Sequence, residues 1–154
     1  MIDTPYIIET KAQLTAMIHL QIPRNEIQQV MGPGISEVMA AVTVQGIGPA
    51  GTWFTHHRKM NPATFDFEIC VPVNAAVKPV GRVVPGEVPV VRVARTIYHG
   101  PYEGLGAAWG EFGTWIAEHG HHGCADLYEC YLAGPEISTD PADWRTELSQ
   151  PLID

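Results

Sequence analysis

The chain has little positive charge. Lys and Arg number 9 against 17 Asp and Glu, for a formal net charge of −8. A nucleic-acid partner needs a basic face, so no direct nucleic-acid contact is expected. Neutral or cationic ligands fit the balance better. Cysteine is scarce too: Cys70, Cys124 and Cys130 leave one thiol over in any disulfide scheme. No apolar run approaches the ~20 residues that cross a bilayer, so no membrane partner is expected. The N-terminus shows no basic segment followed by an apolar stretch and a small-residue cleavage site, and the expected location is cytoplasmic. Charged residues make up only 17% against 45% apolar, which argues against disorder and for a single domain, 1–154. The nucleotide-cradling Gly-x-x-x-x-Gly-Lys and Gly-x-Gly-x-x-Gly loops are missing, as is the Gly-x-Ser-x-Gly turn. No cofactor is expected.

What the chain does contain is an internal repeat. Setting Gly46 on Gly120 places Met31, Ile35, Val38 and Val42 on Leu105, Trp109, Phe112 and Ile116, and Trp53-Phe54 on Leu127-Tyr128. With a loop of different length, Phe67-Glu68 and Pro72-Val73 fall on Thr146-Glu147 and Pro151-Leu152. Two copies of one supersecondary unit imply a pseudo-twofold axis. The seam between them is a natural place for a pocket. The expected repeats are 1–73 and 90–154, joined by 74–89.

Residues Tyr6 to Ile22 read as one long or broken strand, ended by Pro23. Arg24 to Val30 can start a helix that Pro33 interrupts or restarts. Ile35, Val38, Met39 and Val42 then keep the helical period as far as Gly46. Thr52 to Arg58 is a strand candidate. Thr64 to Val73 alternates, with Phe65, Phe67, Ile69, Val71 and Val73 on one face. Pro79, Gly81, Pro85, Gly86 and Pro89 are expected to break any regular element in the join. Val90 to Tyr98 (strand), a helix up to His119, Asp126 to Leu132 (strand) and Trp144 to Leu152 (strand) repeat the order. Within the second helix Gly106, Gly110 and Gly113 form a stripe. Each interior glycine costs about 0.5–1 kcal/mol relative to Ala, so close approach of another helix, a sheet or a ligand is expected there.

Several stretches resemble the GyrI-like small-molecule-binding family. They are Tyr98-His-Gly-Pro-Tyr102 with Leu105 and Trp109, Trp115-Ile-Ala-Glu118 with Gly120, and Tyr128-Glu-Cys-Tyr-Leu132 with Gly134-Pro135. The closing Arg145-Thr-Glu-Leu148 with Pro151-Leu152 agrees, as do Gly46 with Pro49-Ala-Gly51 and Phe65-Asp-Phe-Glu68 running into Val71-Pro-Val73. The family is similar to the effector-binding domains of AraC-type and MerR-type transcription activators. The resemblance implies an α+β fold: a duplicated strand–helix–strand–strand module with an antiparallel sheet, helices packed on it and a cleft at the pseudo-twofold seam. It also implies a free-standing member that binds hydrophobic, aromatic and cationic small molecules, for sensing or sequestration. Some free-standing members resemble hydrolases of cyclopropane-containing alkylating compounds, which is the alternative reading. A protein partner, such as the topoisomerase inhibited by the relatives that name the family, is a third.

Glu129 is the carboxylate that stands out. Alternation puts Leu127, Glu129 and Tyr131 on one face, and a mid-strand carboxylate between apolar and aromatic neighbours needs a partner if it is buried. A cationic ligand, a tyrosine hydroxyl or water would serve; a solvated face with a nearby base is the other reading of the residues. The family match places Glu129 in the cleft. In a hydrolase, Glu129 and Tyr131 would be the catalytic pair. Tyr98, Tyr102 and Tyr131 combine an aromatic body with a polar tip and are candidate ligand contacts. Trp53, Trp109, Phe112 and Trp144 could offer flat faces for stacking or cation–π contact as well, although Trp109 and Phe112 read equally as core. Glu68 and Glu147 occupy equivalent places in the two copies and read as rim carboxylates, Glu147 with a pocket role open to it. His119, His121, His122 and Cys124 lack the paired short spacing of a structural zinc site, so no metal is expected.

Overall fold

A computed structural model describes residues 1–153; Asp154, the last residue of the expected second repeat, lies outside the described residues. The elements are β1 (Tyr6–Glu9), β2 (Gln13–Pro23), α1 (Ile27–Val44), β3 (Phe54–Met60), β4 (Thr64–Pro72), β5 (Val84–Val88), β6 (Arg92–His99), α2 (Leu105–Glu118), β7 (Leu127–Ala133) and β8 (Arg145–Pro151). The fold is α+β, and the strands pair antiparallel. Two compact units emerge: Lys11–Val90, and Met1–Thr10 together with the chain from Val91 onward.

In the unit 11–90 the strands run β3–β4–β2–β5. α1 buries Gly34, Val38, Ala41 and Val42 against the inward face of β2 and β4, where Ile18, Phe67, Ile69 and Val71 are fully buried. Burying each large apolar side chain contributes about 1.5–3 kcal/mol. α1 runs straight through Pro33, where the sequence predicts an interruption or restart; packing on the sheet outweighs the lost N–H bond. Gly46, at φ +66°, ends the helix as expected.

The stretch 74–89 is not devoid of regular structure: β5 pairs with β2 from Gln13↔Val88 to Met17↔Val84. An edge strand tolerates Pro85. Gly86 permits the close approach, since a Cβ there would meet Thr15 Oγ1 at 2.8 Å.

In the other unit the strands run β1–β6–β8–β7. Residues 1–10, assigned to the first repeat on sequence, group here instead, because β1 pairs with β6 from Tyr6↔Arg95 to Glu9↔Arg92. The stretch Tyr6 to Ile22 is therefore two strands, one in each unit. α2 buries Ala108, Phe112 and Ile116 against Ala94, Tyr98 and Leu148. The glycine stripe on α2 does not meet a neighbour: a Cβ at Gly106, Gly110 or Gly113 would find open space. The glycine that close packing requires is on α1, where a Cβ at Gly34 would lie 2.6 Å from Ile69 Cδ1. The unit 11–90 runs β2, α1, β3, β4, β5, and the other runs β1, β6, α2, β7, β8, so that each has one strand before its helix and two after it, with β5 and β1 added at the edges. Of these three, the strand after the helix lies beside the third strand, and the third lies beside the first. No helix among the described residues is long and apolar enough to cross a membrane.

Candidate functional site

Directly opposed residues of an antiparallel pair share a face. In the unit that contains α2, Glu129 stands opposite Leu148, which stands opposite Thr96; Tyr131 stands opposite Thr146, which stands opposite Tyr98. Leu148 and Tyr98 belong to the core under α2, so strand alternation delivers Glu129 and Tyr131 to the helix side. The next layer, Cys130–Glu147–Ile97, faces the other way.

Glu129 is only 9% exposed. Its Oε2 accepts a hydrogen bond from the indole Nε1–H of Trp109 at 2.7 Å, and its Oε1 accepts one from the Tyr131 hydroxyl at 2.6 Å. Both donors are neutral. They stabilise the carboxylate by charge-assisted hydrogen bonds without supplying a positive charge. Trp109 in turn lies 5.7 Å from the Phe112 ring, which anchors it to the core; Phe112, a ligand candidate on sequence, is itself fully buried there and has no face to offer a ligand.

Outward from Glu129 runs a row of rings. Tyr131 meets the edge of Tyr102 at 6.0 Å between centroids, and Tyr102 lies on Trp144 at 5.1 Å. Tyr102 sits in the 3-10 turn before α2. Burial lifts its phenol above the ordinary value, and the Glu136 carboxylate adds to the shift. Trp144 is held by its indole N–H, which donates to the Ser138 carbonyl at 2.9 Å. Trp144 is among the aromatic residues that the sequence offers as stacking surfaces, whereas Glu136 is not singled out on sequence. Trp144 follows a turn-rich loop, and nothing local marks Glu136 as a neighbour of Tyr102.

The other sequence candidates fall elsewhere. Tyr98 is buried, and its hydroxyl donates to the Pro101 carbonyl at 2.7 Å beneath Gly104; it shapes the turn into α2. Trp53 packs against the core of the unit 11–90. Glu147 is on the sheet face opposite to Glu129, where its Oε1 lies 3.5 Å from Arg95 Nε. Glu68 pairs with His56 at 2.9 Å. Among the described residues no group of three or more His, Cys, Asp or Glu side chains is placed to hold a metal ion. A shallow hollow in the unit 11–90, lined by Ala40, Ala41, Val44 and Val83, has a carboxylate at Glu37, but Arg82 already neutralises it at 2.6 Å.

Residues 3–153 match the family model described as the GyrI-like small molecule binding domain. No curated protein matches the chain. Among solved structures, the EcmrR C-terminal domain superposes with a TM-score of 0.84 at 22% identity, covering 97% of this chain and 96% of that one. EcmrR in its complex with DNA gives 0.85 at 23% identity over 97% of this chain; the chain spans 57% of that protein. A hydrolase from Listeria innocua gives 0.66 at 11% identity, covering 96% of this chain and 91% of that one. SAV2435, solved bound to tetraphenylphosphonium, gives 0.63 at 10% identity, covering 97% of this chain and 94% of that one. At these identities the likeness is one of fold.

Proposed function

Because the chain belongs to the GyrI-like small molecule binding domain family, we propose that it binds hydrophobic, aromatic, cationic compounds, as a sensor or sequestering protein, at a site floored by Glu129. Tyr131, Trp109 and Tyr102 supply aromatic surface around the carboxylate, where a cation gains about 0.5–2 kcal/mol per ring. The observation that carries the reading is a nearly buried carboxylate whose hydrogen bonds from Trp109 and Tyr131 come from neutral donors. A ligand cation adds an electrostatic attraction of a kind that neither of these donors supplies. The tetraphenylphosphonium bound to SAV2435 is a probe of that chemistry. The test is a titration of wild type and Glu129→Gln with tetraphenylphosphonium and with neutral triphenylphosphine oxide. A loss confined to the cation supports the reading; equal loss for both refutes it.

One observation favours hydrolysis as a second reading. The Tyr131 hydroxyl at 2.6 Å from the Glu129 carboxylate is the arrangement of a general base beside a hydrogen-bond donor. On an activated cyclopropane, Glu129 would take a proton from water as its oxygen attacks a ring carbon. The breaking C–C pair would pass to a conjugated carbonyl oxygen, which Tyr131 would stabilise. Incubation with excess cyclopropane-containing alkylator distinguishes the two: catalytic formation of hydrated product supports hydrolysis, and protection that stops at one equivalent supports binding.

A further inference from the structure

The ring row does not end in solvent alone. A Cβ built on Gly134 would lie 2.5 Å from the Tyr102 hydroxyl and 3.0 Å from Glu136 Oε2, so the outermost phenol and a second carboxylate sit together over one glycine. The other acidic side chains of this loop are in use: Asp143 accepts from Ser138 Oγ at 2.8 Å, and Asp140 from the Ala142 N–H at 3.0 Å. Among the described residues Glu136 accepts no such bond. Arg145, in register with Ala133 across β7 and β8, forms no ion pair with it. Its charge is felt at Tyr102, whose phenol it helps to keep protonated.

The loop is also stapled rather than loose. Trp144 Nε1 holds the Ser138 carbonyl, and Ser138 Oγ takes the Asp140 N–H at 3.1 Å. Glu136 is thus presented from a defined turn, next to the ring that ends the row. From Glu129 the order is carboxylate, Tyr131, Tyr102, carboxylate, with Trp144 flanking the outer ring.

We propose that this row takes elongated aromatic dications, with one cationic group at Glu129, aromatic surface along Tyr131 and Tyr102, and the second cationic group at Glu136. The inference rests on the Glu129 reading and adds a ligand class to it. A compact monocation engages the buried carboxylate only. A ligand with two charged ends engages both and gains an exposed ion pair at the mouth, where such pairs are modest and salt-sensitive.

The test compares tetraphenylphosphonium with an aromatic bis-amidine, two phenylamidinium groups joined by a flexible chain, at fixed ionic strength near 0.15 M. The readout is the ratio of the two affinities in wild type, Glu136→Gln and Glu103→Gln. Glu103 is an exposed carboxylate beside Tyr102 in sequence and controls for general charge at the mouth. The expected result is a roughly threefold to fivefold fall in the bis-amidine preference for Glu136→Gln, the range of an exposed ion pair, and no change for Glu103→Gln. An unchanged ratio for Glu136→Gln, the same fall for Glu103→Gln, or no bis-amidine binding overturns the two-charge ligand. If tetraphenylphosphonium binds and Glu129→Gln releases it while Glu136→Gln leaves the ratio alone, only this inference falls. If tetraphenylphosphonium does not bind wild type, the Glu129 reading falls and takes this one with it.

Discussion

Trp109 and Glu129 meet across the helix–sheet boundary: the indole N–H on α2 reaches Oε2 on β7 at 2.7 Å. A nearly buried carboxylate is thereby tied to the element that covers it. Trp109→Phe keeps most of the ring area and removes the donor. Hydrogen bonds to charged groups contribute about 1.5–3 kcal/mol, so urea unfolding should show a loss of about that size. A tetraphenylphosphonium cation would then supply by charge the stabilisation that the lost N–H gave, and its thermal stabilisation of the variant should exceed that of wild type. A smaller stabilisation would mean that Trp109 acts chiefly as a wall for the ligand.

Gly110 and Gly34 should respond in opposite ways to alanine. Gly110 is exposed and its Cβ would meet nothing, so Gly110→Ala should stabilise by about 0.5–1 kcal/mol through helix propensity and reduced unfolded-state entropy. At Gly34 the Cβ would press on Ile69 at 2.6 Å and Ile18 at 3.2 Å, and both side chains are fully buried. Gly34→Ala should destabilise by about 1–3 kcal/mol, the usual cost of overpacking. Urea midpoints of the two variants decide the matter.

The thiols should react in a set order. Burial pushes the Cys130 thiol up to about 12, with the Glu147 carboxylate adding to the shift and Arg95 opposing it. Burial likewise raises Cys70; it raises Cys124 too, with the Asp126 carboxylate adding to the shift, but Cys124 is only partly buried. The Cys130 thiol, held that high, is almost wholly protonated at pH 8, and thiolate is the reactive form. Iodoacetamide labelling of the native protein, followed by peptide mass mapping, should modify Cys124 first. Glu147→Gln should speed Cys130 relative to wild type; no change would remove Glu147 from the account.

Asp66 should give the protein an acid limb. His19 Nε2 lies 2.5 Å from Asp66 Oδ1, and this hydrogen bond, helped by the charges of His19, Arg58 and Lys59, holds the carboxyl below its ordinary value. A folded-state value below the unfolded ~3.9 means stabilisation that is present above about pH 4 and lost as pH falls through the folded value. The difference in urea midpoint between wild type and Asp66→Asn should hold steady from pH 5 to 6 and shrink below pH 4. A difference independent of pH would remove the ion pair as its source.

Much of this was legible along the chain. Alternation in Leu127-Tyr-Glu-Cys-Tyr131 was enough to put Glu129 and Tyr131 on one face, because side-chain direction in a strand follows from the pleat alone. The stripes Val38, Val42 and Phe112, Ile116 marked the buried faces of α1 and α2 for the corresponding reason in a helix. Gly46 and Gly120, both with positive φ, marked where those helices stop.

Other features were settled only when distant segments came together. β1 joined β6 rather than the strand that follows it in sequence, and β5 formed in a stretch full of turn residues because β2 offered an edge. The glycines of α2 faced open space, while Gly34 of α1 met the sheet. The donors to Glu129, the depth of Tyr98 and the place of Glu136 beside Tyr102 are of the same kind. Short-range backbone geometry is written in every few residues, so the sequence by itself determined which side chains could share a face. Which of them touch depends on burial and on hydrogen bonds between segments far apart, and only the tertiary structure could decide that.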